Sequence, residues 1–157
     1  MHKSVADPVY DANVNILGSL NLLEAARKSG VRKMAIFAGQ MLAGKPVTIF
    51  GSGEQARDFV FVKDCARANL MVAGKEHSGI FNLGCGVGTS INQIFAGLKQ
   101  ITGYPLEAHY YAPAKAGETF KIYLDSSLAA LELGWQPTVS LEEGLRQTVE
   151  YFRQNEK

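Results

Sequence analysis

Apolar residues recur at helical spacing along several stretches of this chain. Val9, Ala12, Ile16, Leu20 and Leu23 fall three or four apart, which predicts a helix over 8–29. Asp7 is placed to cap it, and Pro8 suits a first helical position because its missing N–H would be unpaired there anyway. Gly30 is the natural stop. Leu17 and Leu22 widen the apolar surface past a single stripe, so this helix needs cover on more than one side. Met34, Phe37, Ala38, Met41 and Leu42 predict a second helix ended by Gly44.

The pattern then shortens. Pro46–Phe50 predicts a strand, Gly51-Ser52-Gly53 a hairpin turn, and Asp58–Val62 a second strand rich in aromatic and β-branched residues. Asp64 is expected to cap a helix running through Ala73. Ile80–Leu83 predicts another short strand, followed by the glycine-rich loop Gly84–Gly88. Ser90 with Gln93 forms a capping box that opens a helix through Thr102. Glu107–Tyr111 and Phe120–Leu124 predict strands around a Pro/Gly loop. Asp125 begins a helix to Leu133, closed by Gly134. Ser140 with Glu143 opens the last helix, whose stripe is Leu141, Leu145, Val149 and Phe152. The fold class is α/β, with an α+β-like character, short strands and about six helices.

Composition narrows the partners. The 157 residues carry 16 Lys+Arg against 15 Asp+Glu, a net charge of +1. That balance gives no footprint for a nucleic-acid backbone. No apolar run reaches membrane-spanning length, and residues 1–8 show no apolar core of a secretory signal. Cys65 and Cys85 form neither a disulfide framework nor a C-x-x-C motif, so the expected compartment is the cytoplasm, with both thiols reduced. His2, His77 and His109 do not pair with other ligands at metal-binding spacing, and no metal site is expected.

Three segments imitate catalytic motifs. Gly51–Ala56 matches G-x-G-x-x-A, but the residues that follow predict a strand, whereas a dinucleotide loop must open a helix. Gly84-Cys85-Gly86-Val87-Gly88 stands between a strand and a capped helix, the context of an anion cradle; a structural loop is the favoured reading, a phosphate or sugar contact the other. Tyr111–Lys115 matches Y-x-x-x-K, but Pro113 breaks the helix that would bring the pair onto one face. Arg57-Asp58 reads either as a surface ion pair or as a guanidinium fork aimed at a phosphate.

Read together, Pro46–Asp64, Phe81-Asn82-Leu83-Gly84, Ala112-Pro113 to Gly117-Glu118, Leu133-Gly134-Trp135-Gln136-Pro137 and Ser140–Leu145 resemble the NAD-dependent nucleotide-sugar epimerase/dehydratase family. These are extended short-chain dehydrogenase/reductases, with UDP-glucose 4-epimerase a familiar member. Asn15 to Gly30-Val31 resembles the helix before the family's catalytic strand. The resemblance implies a Rossmann lobe for NAD, a smaller lobe for the nucleotide sugar, and a Tyr–Lys pair for proton transfer. This sequence departs from that pattern. The cofactor glycine turn would precede residue 1, and the catalytic strand and Y-x-x-x-K helix would fall between Lys33 and Met34. The expected organisation is therefore a leftover Rossmann helix over 1–33 and a nucleotide-sugar lobe over 34–157.

By the same resemblance, Arg57 lies where the family contacts the diphosphate. Lys115 stands where a second phosphate-binding Arg is usual, and Glu118 near the nucleotide ribose. Asn15 matches a helix position beside the cofactor, vestigial here. No catalytic residue is carried over, and no bound NAD is expected. The leading expectation is a remnant that binds a nucleotide diphosphate sugar weakly, without turnover. The alternatives are a part of an active NAD-dependent epimerase or dehydratase, and a homo-oligomeric interaction protein joined through helix 8–29.

Overall fold

A computed structural model describes residues 31–73, 80–111 and 119–155. The chain divides into a unit of Met1–Ile36 and a unit of Phe37–Lys157. The predicted helix 8–29 lies outside the described residues, as do Asn15, Lys115 and Glu118.

Nine elements are described: α1 (Val31–Leu42), β1 (Thr48–Phe50), β2 (Ala56–Arg57), α2 (Val62–Ala73), β3 (Thr89–Ser90), α3 (Ile91–Thr102), β4 (His109–Tyr111), α4 (Ser127–Leu133) and α5 (Leu141–Asn155). The α/β class expected from the sequence holds. The periodic apolar residues of α1 are buried at Phe37, Ala38 and Met41. Gly44, at φ +66°, lets the chain turn after it. The capping box at α3 forms in full: Gln93 N–H donates to Ser90 Oγ at 3.2 Å, and Ser90 N–H donates to Gln93 Oε1 at 2.8 Å. At α5 the Glu143 N–H donates to Ser140 Oγ at 3.2 Å.

The strands pair differently from the expected hairpin. β1 lies parallel to β4, with Ile49 opposite Tyr110, while β2 lies antiparallel to β3, with Arg57 opposite Thr89. The Gly51–Gly53 turn therefore links two separate sheets. Both its glycines have positive φ, and a Cβ on Gly53 would sit 1.9 Å from Asn92 Oδ1.

The strand expected over Asp58–Val62 is not formed. β2 ends at Arg57, and Val62 already belongs to α2. The physical reason is packing. Phe61 C=O accepts the Asp64 and Cys65 N–H groups at 2.9 and 3.3 Å, which starts the helix early. Val60 turns onto the core cluster, and Phe61 packs against Gly144. Asp64 is consequently inside the first turn rather than at the cap. Ile80–Leu83 is likewise no strand, because Phe81 and Leu83 pack on the same cluster without a ladder partner. Of Phe120–Leu124, only Lys121 bridges to Ala56.

The cluster itself is Ala68, Ala129, Leu133 and Trp135, each 3% exposed or less. A second packed region joins α3 to α5 through Ile94, Phe95, Leu98, Leu145 and Val149. Gly97 is small enough to let Leu145 approach: a Cβ there would meet Leu145 Cδ1 at 2.8 Å.

Candidate functional site

Arg57 ends β2, beside the segment that enters from residues 112–118. Its Nη1 donates to Ala56 C=O at 2.8 Å and reaches Phe120 C=O at 3.5 Å. The segment is fixed by backbone pairing to Ala56. Ala56 N–H donates to Phe120 C=O at 2.8 Å, and Ile122 N–H donates to Ala56 C=O at 3.2 Å. Lys121 lies alongside, its ammonium 5.4 Å from the Tyr123 ring centroid. So Arg57 stands where β2 meets the 120–124 segment, half-buried and with its guanidinium anchored on carbonyl oxygens.

The turn that feeds β2 is itself clamped. Asn92 Nδ2 donates to Ser52 C=O at 3.0 Å and to Glu54 Oε1 at 2.6 Å, and Tyr110 Oη donates to Asn92 Oδ1 at 3.2 Å. These bonds tie the N-terminus of α3 and strand β4 to the loop before Arg57.

The neighbour of Arg57 holds an unexpected role. The Asp58 carboxylate accepts from Cys85 N–H at 2.7 Å, Gly86 N–H at 3.0 Å and Leu124 N–H at 3.1 Å. The loop Gly84–Gly88 is thus an anion cradle, but the anion is the protein's own. Charge-assisted bonds of this kind are stronger than neutral ones. Gly84 is required for the approach: a Cβ there would lie 2.5 Å from Asp58 Oδ2. Arg57 and Asp58 therefore do not act as a simple exposed pair. The sequence offered one signal for this, an aspartate and a glycine-rich loop in the same fold, without linking them.

Asp64 was also misplaced by sequence reasoning. It is 1% exposed. Its carboxylate accepts from Thr138 Oγ1 at 2.6 Å, Thr138 N–H and Val139 N–H at 3.0 Å, and Arg67 Nη2 at 2.7 Å. Burial pushes its pKa up, but the bonds from Thr138, Arg67 and Val139 outweigh that and bring it down to about 2. Trp135 Nε1 donates to Asp64 C=O at 2.9 Å, so one residue fastens α2 to the 135–139 segment.

The remaining candidates are chemically quiet. Burial pushes the Cys65 thiol up, with the Asp64 charge adding to it; burial and then Asp58 do the same for Cys85. Neither thiol is activated. Among the described residues no group of His, Cys, Asp and Glu could hold a metal ion, and no helix is long and apolar enough to cross a membrane. An open depression of about 250 Å³ is lined by Cys85, Leu124, Ser126, Trp135 and Pro137 among others. Arg57 is not part of its wall.

Neither described glycine-rich segment fits a dinucleotide. Gly51–Gly53 leads into β2 rather than a helix. The Cys85 and Gly86 N–H groups that could meet a pyrophosphate already bond Asp58.

Comparison with known proteins gives a consistent picture. The model of the NAD dependent epimerase/dehydratase family matches residues 32–84. A putative UDP-glucose 4-epimerase of Methanocaldococcus jannaschii is 28% identical over 231 positions, covering 100% of this chain and 75% of the relative. Those 231 positions exceed the 157 residues present, so the relative carries internal sequence that this chain lacks. The UDP-glucose 4-epimerase of Thermotoga maritima, solved with UDP-glucose, is 50% identical with a TM-score of 0.75 over 79% of this chain and 40% of that one. The UDP-glucuronic acid 4-epimerase of Bacillus cereus, solved in complex with NAD, is 31% identical with a TM-score of 0.68 over 79% of this chain and 40% of that one. The chain thus spans about 40% of the length of these solved structures.

Proposed function

Because this chain belongs to the NAD-dependent epimerase/dehydratase family and spans only part of those enzymes, we propose that it binds a nucleotide diphosphate sugar weakly and, by itself, does not turn it over. The observation that carries the reading is Arg57, fixed at the junction of β2 and the 120–124 segment. By the family resemblance this is the position that meets the diphosphate, and a guanidinium suits that partner because its planar fork matches phosphate geometry. Lys115 supplies a second cation in this proposal. Its ammonium is a point charge without Arg's fork, so the affinity is modest. By the family resemblance, the proposal assigns Glu118 to the ribose.

Absence of turnover rests on what hydride chemistry needs, a seated nicotinamide cofactor and a proton carrier. The Y-x-x-x-K match at Tyr111–Lys115 is interrupted by Pro113, and the alignment leaves an internal stretch of the relative without counterpart.

The test is calorimetry of the purified chain with UDP-, GDP- and dTDP-sugars, with chromatography of the sugar after incubation with NAD. Heat from at least one ligand and an unchanged sugar are expected. No heat at millimolar ligand overturns the binding. Conversion of the sugar overturns the inactivity and favours the second reading, that the chain is part of an active enzyme; the match across 75% of a relative supports that alternative. Association through helix 8–29 is a separate proposal, and a compact monomer in sedimentation would remove it.

A further inference from the structure

The contacts around Asp58 form a series with a two-residue step. Phe120 C=O accepts from Ala56 N–H, and Ile122 N–H donates to Ala56 C=O. Leu124 N–H donates to Asp58 Oδ2 at 3.1 Å. A parallel strand neighbour would offer a backbone carbonyl at that last rung. Here β2 has ended, and a side-chain carboxylate takes the carbonyl's place. The same carboxylate holds Cys85 and Gly86 through their N–H groups. It thus ties three stretches of chain together, one of which contains Arg57.

We infer that Asp58 is a positioning residue for Arg57: its carboxylate fixes the distance between the Arg57 guanidinium and the 120–124 segment, and with it the anion site. This rests on the reading of Arg57 as the diphosphate contact. The argument is geometric. Arg57 Nη1 leans on Phe120 C=O, the first rung of the series, while Asp58 secures the last. If the carboxylate lets go, the described bonds left between the 120–124 segment and β2 are those of Ala56 and the Arg57–Phe120 contact, both at its near end. Gly84 shows how closely the arrangement is set, since any side chain there would meet Asp58 Oδ2 at 2.5 Å and Leu124 Cβ at 2.9 Å.

The experiment is a double-mutant cycle on the full chain, with UDP as the probe and UMP as its control, read by calorimetry. R57M is expected to weaken UDP by roughly tenfold, the scale of one charged contact, and UMP less. D58N keeps the shape, but its amide nitrogen opposes a backbone N–H. It is expected to lower UDP affinity by about the same factor, and R57M added to D58N is expected to change little more. A residue that only supports the fold would weaken UDP and UMP alike and leave the R57M effect intact. UDP affinity unchanged in D58N, or losses that multiply in the double variant, would overturn the inference. If R57M alone leaves UDP binding unchanged, the diphosphate reading fails instead, and the positioning claim falls with it. Should D58N not fold, G84A serves the same purpose by displacing the charged carboxylate. A UDP affinity in G84A equal to that of the unaltered chain would also overturn the inference.

Discussion

Replacing Asp64 by asparagine is the substitution whose cost can be worked most fully from the structure. The carboxylate is 1% exposed and accepts four hydrogen bonds, two of them from backbone N–H groups of Thr138 and Val139. Its pKa falls from 3.8 to about 2, because those bonds outweigh the burial that opposes them. That displacement corresponds to stabilisation on the order of 2 kcal/mol from the charged form. Asparagine adds a further penalty. Its amide nitrogen points at a donor, and one buried N–H left unpaired costs roughly 1–3 kcal/mol. Asp64→Asn is therefore expected to cost about 3–5 kcal/mol near neutral pH. The folded pKa lies below the unfolded one, so the carboxylate's contribution is complete above about pH 4 and fades as pH falls through about 2. Urea unfolding of both proteins, followed by circular dichroism from about pH 6 to about pH 2, reads this directly. The stability gap should narrow by on the order of 2 kcal/mol at the acid end. A gap below about 0.5 kcal/mol, or one that stays constant with pH, would refute the reasoning.

Three further outcomes follow from local geometry. Ser90→Ala removes both the N-cap acceptor and half of the capping box of α3; a loss of about 1 kcal/mol in urea unfolding is expected. Gly53→Ala forces a side chain into φ +75°, with its Cβ 1.9 Å from Asn92 Oδ1. It should cost at least about 1–2 kcal/mol in the same assay. The raised pKa values of Cys65 and Cys85 leave less thiolate than an ordinary cysteine at neutral pH. Iodoacetamide labelling followed by mass spectrometry should be slow in buffer and fast in urea; equal rates would contradict the burial.

Helix positions were legible where the apolar period was long. α1, α3 and α5 follow stripes spanning two or more turns, and their ends carry Gly44, the Ser90 box and Ser140, all of them local signals. Strands were legible as extended apolar runs but not as ladders. Phe59 to Val62 has strong β-propensity, yet Val60 and Phe61 pack against residues far along the chain. Nothing local distinguishes that use from a sheet. The glycine pair at 51 and 53 signalled a turn correctly, but which strands it joins depends on β3 and β4, tens of residues away. Arg57 could be singled out through its family resemblance. The roles of Asp58 and Asp64 could not, because their partners at 85, 86, 124, 138 and 139 are brought to them only by folding.

The most direct test of a diphosphate site built on Arg57 is a titration of the isotope-labelled chain with UDP-glucose, followed by amide and guanidinium NMR shifts. Saturable changes are predicted at Ala56, Arg57 and the 120–124 segment, including the Arg57 Nε–H signal, with α5 unmoved. Shifts confined to the depression around Trp135 and Pro137, or no saturable shift at millimolar ligand, would contradict the account.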